Sequence, residues 1–496
     1  MADKNLNDFF DDEFNKQQEE RRQAEERQKA SAAEEEKRRS MYYGIPEYSG
    51  QQQFVSRRSK GKTALIVTLC AVALVVVFFM GYFTFLLANP DLKFINDVLN
   101  LVNEQAYIWD ESDDKYERDY AYQAAKAILS SIDQYSTLLT PEEFYTLMYG
   151  ESTPVGASNG VSYTVDADGE YVVYEVGIGS PGYEAGLFTG DIVRKMTVYG
   201  NSEGIADGTT LEVTPKTDLE TFKKYIHSQR IDFVLLRGDE TVSINGVVAS
   251  SSYDSATIEY YFGASATATN MSAAYKERIN AESLPSDVGY IRLTTFMYDE
   301  SVAEMESAMA LFKSSGKTKL IFDLCGNGGG KSDVAAKIAS YLVWDDGNAS
   351  GDGIVVSVNK DKNDKVVSRQ TTDSVYDDYF DVNSSSPQIV VLADSGSASA
   401  SEMLLGAVVT DYKTAVHVGT KTYGKGIAQG VIPLKAAQAN INGEIVDSYW
   451  AAYMTYVKFF TPVSDVCHHG TGFEPEPENV AETYDGMIQR ALEILG

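Results

Sequence analysis

The chain has few of the residues on which metal and disulfide chemistry depend. Its 496 residues include only three cysteines and four histidines. Cys70 lies in an apolar run, and the other two, Cys325 and Cys467, are far apart and form neither a disulfide framework nor a CxxC metal pair. Four histidines are few for a zinc enzyme, so we expect no metal.

Positive charge is also scarce. The sequence has 42 Lys and Arg against 72 Asp and Glu, a formal net charge of −30. Because phosphate binding needs clustered basic side chains, this balance argues against nucleic acid as a partner. The length allows about two to four domains, at ~100–200 residues each.

One long stretch lacks charge altogether. Residues 63–88 are strongly apolar and exceed the ~20 residues needed to cross a bilayer core. Residues 1–62 before them are dense in charged side chains, which predicts a disordered or solvated helical tail. Four basic residues immediately precede the apolar run and Asp91 follows it. The positive-inside rule therefore predicts a single-pass cell-membrane protein with a cytoplasmic N-terminus and an extracytoplasmic remainder.

The rest of the chain changes pattern along its length. Residues 91–150 show helical spacing of apolar positions, with a capping box at 140–143, and 151–249 form a small β-rich domain. Strands alternate with helices over 250–480, which indicates an α/β core, and 481–496 carry a C-terminal helix. Predicted core strands are 288–293, 319–324 and 388–392; predicted helices are 301–312, 332–342 and 487–495; the acidic segment 345–386 is interpreted largely as a surface insertion.

A serine-rich turn follows the last of these strands. Serines alternate at 395, 397, 399 and 401, so only one can be a nucleophile. Ser399 to Glu402 also fits a capping box, in which the serine oxygen would be tied to a backbone amide. From this stretch alone, nucleophile and cap are equally supported for Ser399. The first amides of the helix, including that of Ala400, could face a developing oxyanion.

Lys425 shifts this balance towards catalysis. It lies between Gly424 and Gly426 in an apolar neighbourhood rather than among polar residues. A lysine acts as a base only when it is desolvated and has no carboxylate nearby. If residues 425–429 are extended, Gln429 shares the face of Lys425 and could hold its amine. An exposed loop lysine is the alternative.

Two other chemistries compete with this pair. A Ser-His-Asp triad would need His417 or the His468–His469 pair, and neither has a recognisable triad setting. The glycine loop 326–330, followed by Lys-Ser, is similar to a phosphate-binding loop, but the pattern requires glycine at the position of Cys325. The same loop could instead offer the amides of Gly328 or Gly329 to an oxyanion.

The β-rich region carries a first family resemblance. Ser180-Pro followed by Ala185-Gly-Leu and Gly190-Asp-Ile resembles the PDZ family. The resemblance implies a groove that captures a C-terminal carboxylate and adds the peptide as a strand. The carboxylate loop would comprise Ser158, Asn159, Gly160 and Val161. A plain β-domain that serves as a spacer is the alternative.

Several motifs in order give a second resemblance. Asp133-Gln-Tyr-Ser136, the PDZ-like segment, Asp323-Leu-Cys-Gly-Asn-Gly-Gly-Gly330, Gly396-Ser-Ala-Ser-Ala-Ser-Glu402 and Lys421-Thr-Tyr-Gly-Lys-Gly-Ile-Ala-Gln429 together resemble the carboxyl-terminal processing, or tail-specific, proteases. The resemblance covers roughly residues 92–496. It implies a crotonase-like α/β serine protease core with an inserted PDZ domain.

The same resemblance implies roles for individual residues. The nucleophile falls on Ser399, the base on Lys425 and the supporting glutamine on Gln429, while Asp411 has a structural role. The oxyanion donors fall on the amides of Ala400, Gly328 and Gly329. Two departures matter: Cys325 stands where the family commonly has arginine, and a serine–lysine interval one residue longer keeps Ser401 open as the nucleophile.

The function implied is that of a membrane-anchored serine endopeptidase without a cofactor. Its partners would be extracytoplasmic polypeptides recognised by their free C-termini, and homo-oligomerisation is left open. The alternative is a catalytically inactive PDZ-type receptor on the same fold, which the departure at Cys325 keeps in view.

Overall fold

The computed structural model describes residues 94, 95, 98, 120–149, 158–166, 168–253, 256–344, 353–374, 376, 378–441 and 443–496. The predicted tail 1–62 and the predicted membrane span 63–88 lie outside these residues. Within the described part, no helix is long and apolar enough to cross a membrane. The chain divides at Ala127 into two units, and the sheets below belong to the second, Ile128–Gly496.

Nine α-helices and sixteen strands make up the described part. The helices are α1 Tyr120–Ser130, α2 Pro141–Tyr149, α3 Pro181–Ala185, α4 Leu219–Ile226, α5 Ala273–Arg278, α6 Glu300–Ser314, α7 Ser332–Ala339, α8 Ala400–Leu405 and α9 Tyr484–Leu495. The strands are β1 Thr137–Leu139, β2 Val161–Val165, β3 Tyr171–Val176, β4 Ile192–Asn201, β5 Thr209–Glu212, β6 Ser228–Arg237, β7 Glu240–Val248, β8 Ile258–Tyr261, β9 Val288–Leu293, β10 Lys319–Asp323, β11 Val355–Lys360, β12 Val366–Thr371, β13 Ile389–Ala393, β14 Val416–Gly419, β15 Ile427–Ile441 and β16 Glu444–Phe460.

A central sheet has the order β14-β13-β10-β9-β8. Its first four strands are parallel and β8 is antiparallel to β9. The strands are buried on both faces: Leu320 and Phe322 pack with α6, α7 and α8, whereas Ile321 packs with α9. The predicted core strands and helices are confirmed, except that α7 ends three residues before the predicted position and α9 begins three residues before it.

The β-rich region folds as a six-stranded sheet ordered β2-β3-β4-β6-β7, with β5 beside β4. Phe222 from α4 stacks on Tyr171 with ring centroids 4.1 Å apart and closes this sheet's core. The sheet covers 161–248, which lies within the predicted domain 151–249, and β2 and β7 are its edge strands.

A third sheet gathers strands that are distant in sequence, in the order β1-β16-β11-β12, with β15 beside β16. β1 precedes the β-rich domain, so that domain is an insertion between β1 and the other strands. The predicted capping box at the start of α2 is confirmed by reciprocal bonds between Thr140 and Glu143, at 2.8 and 3.1 Å.

The interpretation of 345–386 as largely a surface insertion was wrong for part of its length. β11 lies between β16 and β12, and Val356 is fully buried in it. β11 forms sheet hydrogen bonds on both sides and is buried on both faces, whereas the residues that flank it are acidic and polar.

Candidate active site

The serine turn begins where β13 ends. The Asp394 carboxylate accepts the backbone N–H groups of Gly326 and Gly396, both at 2.9 Å, and so joins the turn to the glycine loop. Ser399 follows with φ 57° and ψ −111°, the left-handed side of the map that a non-glycine residue rarely adopts. Strain of this kind at a turn before a helix marks a constrained, functional position.

The alternating serines differ in their surroundings. Ser401 is fully buried and its Oγ donates to the carbonyl of Asn327 at 2.8 Å, and Ser397 is equally buried with its Oγ on the carbonyl of Leu324. Ser399 forms a capping box with Glu402, whose carboxylate accepts the Ser399 backbone N–H at 3.0 Å, and the Ser399 hydroxyl faces the Glu402 backbone N–H in a geometry too loose for a hydrogen bond. The geometry therefore favours Ser399 over Ser401 as the reactive hydroxyl.

The glycine loop packs against this turn. A Cβ added to Gly329 would lie 2.8 Å from Ser399 Cβ and 2.9 Å from the amide nitrogen of Ala400. The Gly329 amide donates to Asn327 Oδ1 at 2.9 Å, so the expectation that it is an oxyanion donor does not hold in this conformation. The amides of Gly328 and Ala400 donate to no group within the described chain.

Glu402, in the first turn of α8, connects the serine and lysine segments. Its side chain is 1% exposed, and its Oε2 accepts the backbone N–H groups of Ser399 at 3.0 Å and Lys425 at 2.7 Å. Its Oε1 accepts the Gly424 N–H at 2.7 Å and the Thr422 hydroxyl at 2.6 Å. One buried carboxylate thus fixes the backbone on both sides of the site.

Lys425 is half-buried against the segment before β1. Its Nζ lies 4.5 Å from the ring centroid of Tyr135, a cation–π distance. Burial lowers the pKa of Lys425, whereas the Asp133 and Glu402 carboxylates oppose that shift. The expectation of a lysine without nearby carboxylates was therefore wrong, although burial outweighs their charges.

The Gln429 side chain bonds to Thr455 rather than to Lys425. Its Nε2 donates to Thr455 Oγ1 at 2.8 Å, and the register of β15 shifts between Ala428 and Gln429. This irregularity breaks the simple alternation that was expected to place Gln429 on the face of Lys425. The Gln429 side-chain oxygen keeps its acceptor capacity, but no hydrogen bond joins Gln429 to Lys425 in the described structure.

The serine and lysine side chains themselves are not hydrogen-bonded to one another in this conformation. Within the described chain, no histidine bonds to Ser399 either. His417 is buried in β14, where desolvation lowers its pKa to about 4, and His468 stacks on Phe473. The competing triad thus has no geometric support.

The remaining candidates are assigned by their contacts. Cys325 is buried with its Sγ 3.6 Å from Met487 Sδ, and burial raises its thiol pKa well above the usual range. Asp411 accepts the amides of Val463 and Ser464, in agreement with a structural role. The described residues hold no cluster of side chains suited to a metal ion.

The predicted carboxylate-binding loop is closed in this structure. The Gly160 amide donates to Ser158 Oγ and the Val161 amide to Asn159 Oδ1, both at 3.1 Å. The expectation that these amides face an incoming carboxylate is therefore corrected: local side chains occupy them.

The Glu402 carboxylate therefore joins the backbone of a strained serine to that of a half-buried lysine on an α/β fold. Residues 287–478 match the model of Peptidase family S41.

Several relatives are named carboxyl-terminal processing peptidases. Carboxyl-terminal-processing peptidase 2 of Arabidopsis thaliana is 27% identical over 331 residues, covering 64% of this chain and 55% of that protein. The C-terminal processing peptidase of Tetradesmus obliquus is 26% identical over 64% of this chain and 61% of its own. A probable CtpA-like serine protease of Staphylococcus aureus is 31% identical over 40% of this chain and 36% of its own. The chain therefore spans little more than half the length of the first two.

Solved structures also match. The photosystem II D1 C-terminal processing protease covers 76% of this chain and 88% of its own at 20% identity, with a TM-score of 0.44. A putative S41 protease of Bacteroides fragilis covers 81% of this chain and 96% of its own at 18% identity, with a TM-score of 0.47.

Proposed function

We propose that the chain is a serine endopeptidase in which Ser399 is the nucleophile and Lys425 the general base. The observation that carries this proposal is the shared carboxylate oxygen: Glu402 Oε2 binds the backbone N–H of both residues. The S41 domain and the names of the relatives support the same reaction class.

The reaction would start from neutral Lys425. Nζ turns from the Tyr135 ring and takes the proton of Ser399 Oγ as that oxygen attacks the peptide carbonyl carbon. The carbonyl π electrons move to the oxygen, which the free amides of Ala400 and Gly328 stabilise. Collapse breaks the C–N bond, the amine leaves with the proton from Lys425, and water then releases the acyl group with Lys425 again as base. Gln429 orients the amine through its free side-chain oxygen.

Substrate capture would use the β-rich domain as a PDZ module. Support comes from its sequence motif and from β2, an edge strand that can pair with an incoming peptide. The loop 158–161 would have to exchange its side-chain hydrogen bonds for those of a terminal carboxylate. We further propose that residues 63–88 anchor the protein in the cell membrane with the catalytic part outside.

Cleavage of casein and of a tailed peptide by four proteins tests the mechanism. We expect wild type and Ser401→Ala to cleave, although Ser401→Ala loses a buried hydrogen bond and some stability, and Ser399→Ala and Lys425→Ala to be inactive. A fluorophosphonate should label Ser399 in wild type. Equal cleavage by all four would remove the dyad, and peptide binding without any cleavage would favour the receptor alternative.

The topology has its own test. Protease added to intact cells should digest the region beyond residue 90. Protection of that region would contradict the proposed orientation.

A further inference from the structure

Tyr174 projects from the inserted domain onto the candidate active site. It lies on β3, and a Cβ added to Gly328 would be 2.5 Å from the Tyr174 hydroxyl oxygen. Gly328 precedes Gly329, which touches Ser399 and the Ala400 amide. The phenol therefore lies beside one of the two amides free to bind an oxyanion.

The Tyr174 phenol is also near the loop that carries Lys425. Burial raises the pKa of Tyr174, and the neighbouring Glu175 and Tyr423 add to the shift. Tyr423 lies on the Lys425 loop, where its hydroxyl is 3.1 Å from that of Tyr135. Tyr174 is thus close both to the glycine loop and to the lysine loop.

The Tyr174 hydroxyl is available for a ligand. Its side chain is 48% exposed, and its oxygen bonds to no group in the described part of the chain. The Tyr174 phenol is protonated at neutral pH, and its raised pKa keeps it so. It is therefore a hydrogen-bond donor without a protein acceptor, and it lies beside Gly328, whose amide also has no protein acceptor. Polar groups convergent in this way favour a bound oxygen atom.

We propose that Tyr174 is a catalytic residue whose hydroxyl donates a hydrogen bond to the substrate carbonyl oxygen, together with the Gly328 and Ala400 amides. The inference rests on the proposed serine endopeptidase function. As Ser399 Oγ bonds to the carbonyl carbon, the displaced electron pair settles on that oxygen, and Tyr174 stabilises the charge without losing its proton. Catalysis then depends on the position of the inserted domain as well as on the S41 domain.

Tyr174→Phe removes the one oxygen and tests this role. We expect kcat on a peptide substrate to fall about 100-fold, as for loss of one oxyanion donor, with KM little changed. Phosphonylation of Ser399 by a fluorophosphonate should slow in parallel, because that reaction also places charge on an oxygen. The thermal midpoint should stay at the wild-type value. Tyr199→Phe, a change on β4 of the same domain, is the matched control.

The alternative is that the Tyr174 ring obstructs the site. Tyr174→Ala distinguishes the two: a donor predicts a loss like that of Tyr174→Phe, whereas an obstructing ring predicts faster cleavage in Tyr174→Ala and nearly wild-type cleavage in Tyr174→Phe, which keeps the ring. Unchanged or increased kcat in Tyr174→Phe overturns the proposal while wild-type cleavage and its loss in Ser399→Ala preserve the protease. No cleavage and no labelling in wild type would overturn both.

Discussion

Glu402→Gln is the sharpest perturbation of the predicted site, since it changes charge with almost no change in shape. The carboxylate accepts four donors, two at each oxygen. A glutamine offers one oxygen and one NH2 group. Its NH2 group is best placed towards Thr422 and Gly424, because the Thr422 hydroxyl can rotate and accept whereas the Gly424 N–H cannot.

The expected loss in the free energy of unfolding follows from the number of hydrogen bonds that change. One buried N–H loses its acceptor, at about 1–3 kcal/mol, and the bonds to Ser399 and Lys425 change from charged to neutral acceptors, at about 1 kcal/mol each. We therefore expect the free energy of unfolding to fall by about 3–5 kcal/mol, measured by urea denaturation. The protein should stay folded, since domains are typically stable by about 5–15 kcal/mol.

Kinetic measurements on Glu402→Gln distinguish the positioning effect of Glu402 from the effect of its charge. Weakening of the shared anchor, from a charged to a neutral acceptor, should lower the kcat plateau by about 10-fold to 100-fold through misplacement of the reacting groups. The Glu402 charge raises the pKa of Lys425, so its removal should also move the rising limb of the pH–rate profile to lower pH. Glu444→Gln, an exposed change at the start of β16, is the control. An unchanged urea midpoint together with an unchanged kcat plateau would refute the role of Glu402 in holding the backbones of Ser399 and Lys425.

Two further predictions concern the neighbours of the pair. Asp133→Asn removes a charge that raises the pKa of Lys425. Since the neutral amine is the active form in the proposed mechanism, the rising limb of kcat/KM against pH should move to lower pH. A shift to higher pH would contradict this reasoning. Gly329→Ala places a methyl group 2.6 Å from the Ala398 carbonyl oxygen in a residue with φ 100°, so cleavage and Ser399 labelling should both be lost; wild-type labelling would show that the loop can move aside.

The sequence predicted the central sheet well because parallel strands are continuous apolar runs. β9, β10 and β13 were each placed to within about one residue. β11 was missed, because its pairing depends on partners elsewhere in the chain and its flanks are acidic. Apolar patterning indicates which residues are buried, but it does not indicate which strands are hydrogen-bonded neighbours in the fold.

The site was predicted in its components but not in its connections. The capping-box pattern marked Glu402 as a local helix cap, and the structure shows that it also binds the Lys425 loop, 23 residues away. The motif at 133–136 was noticed without a role, since no local pattern relates Asp133 or Tyr135 to Lys425. Similarly, the bonds that close the 158–161 loop are side-chain contacts that glycine spacing does not reveal.

The pairing of β1 with β16 has a consequence for how the protein is made. Ser136 Oγ accepts the backbone N–H of Thr455, which is 319 residues further along the chain. The ribosome must therefore synthesise nearly the entire polypeptide before β1 can pair with β16. Under the proposed mechanism, the emerging chain would carry Ser399 before the Tyr135 ring can pack against Lys425, which would delay activity until β16 is made. A fragment limited to residues 287–478 would lack both β1 and Tyr135.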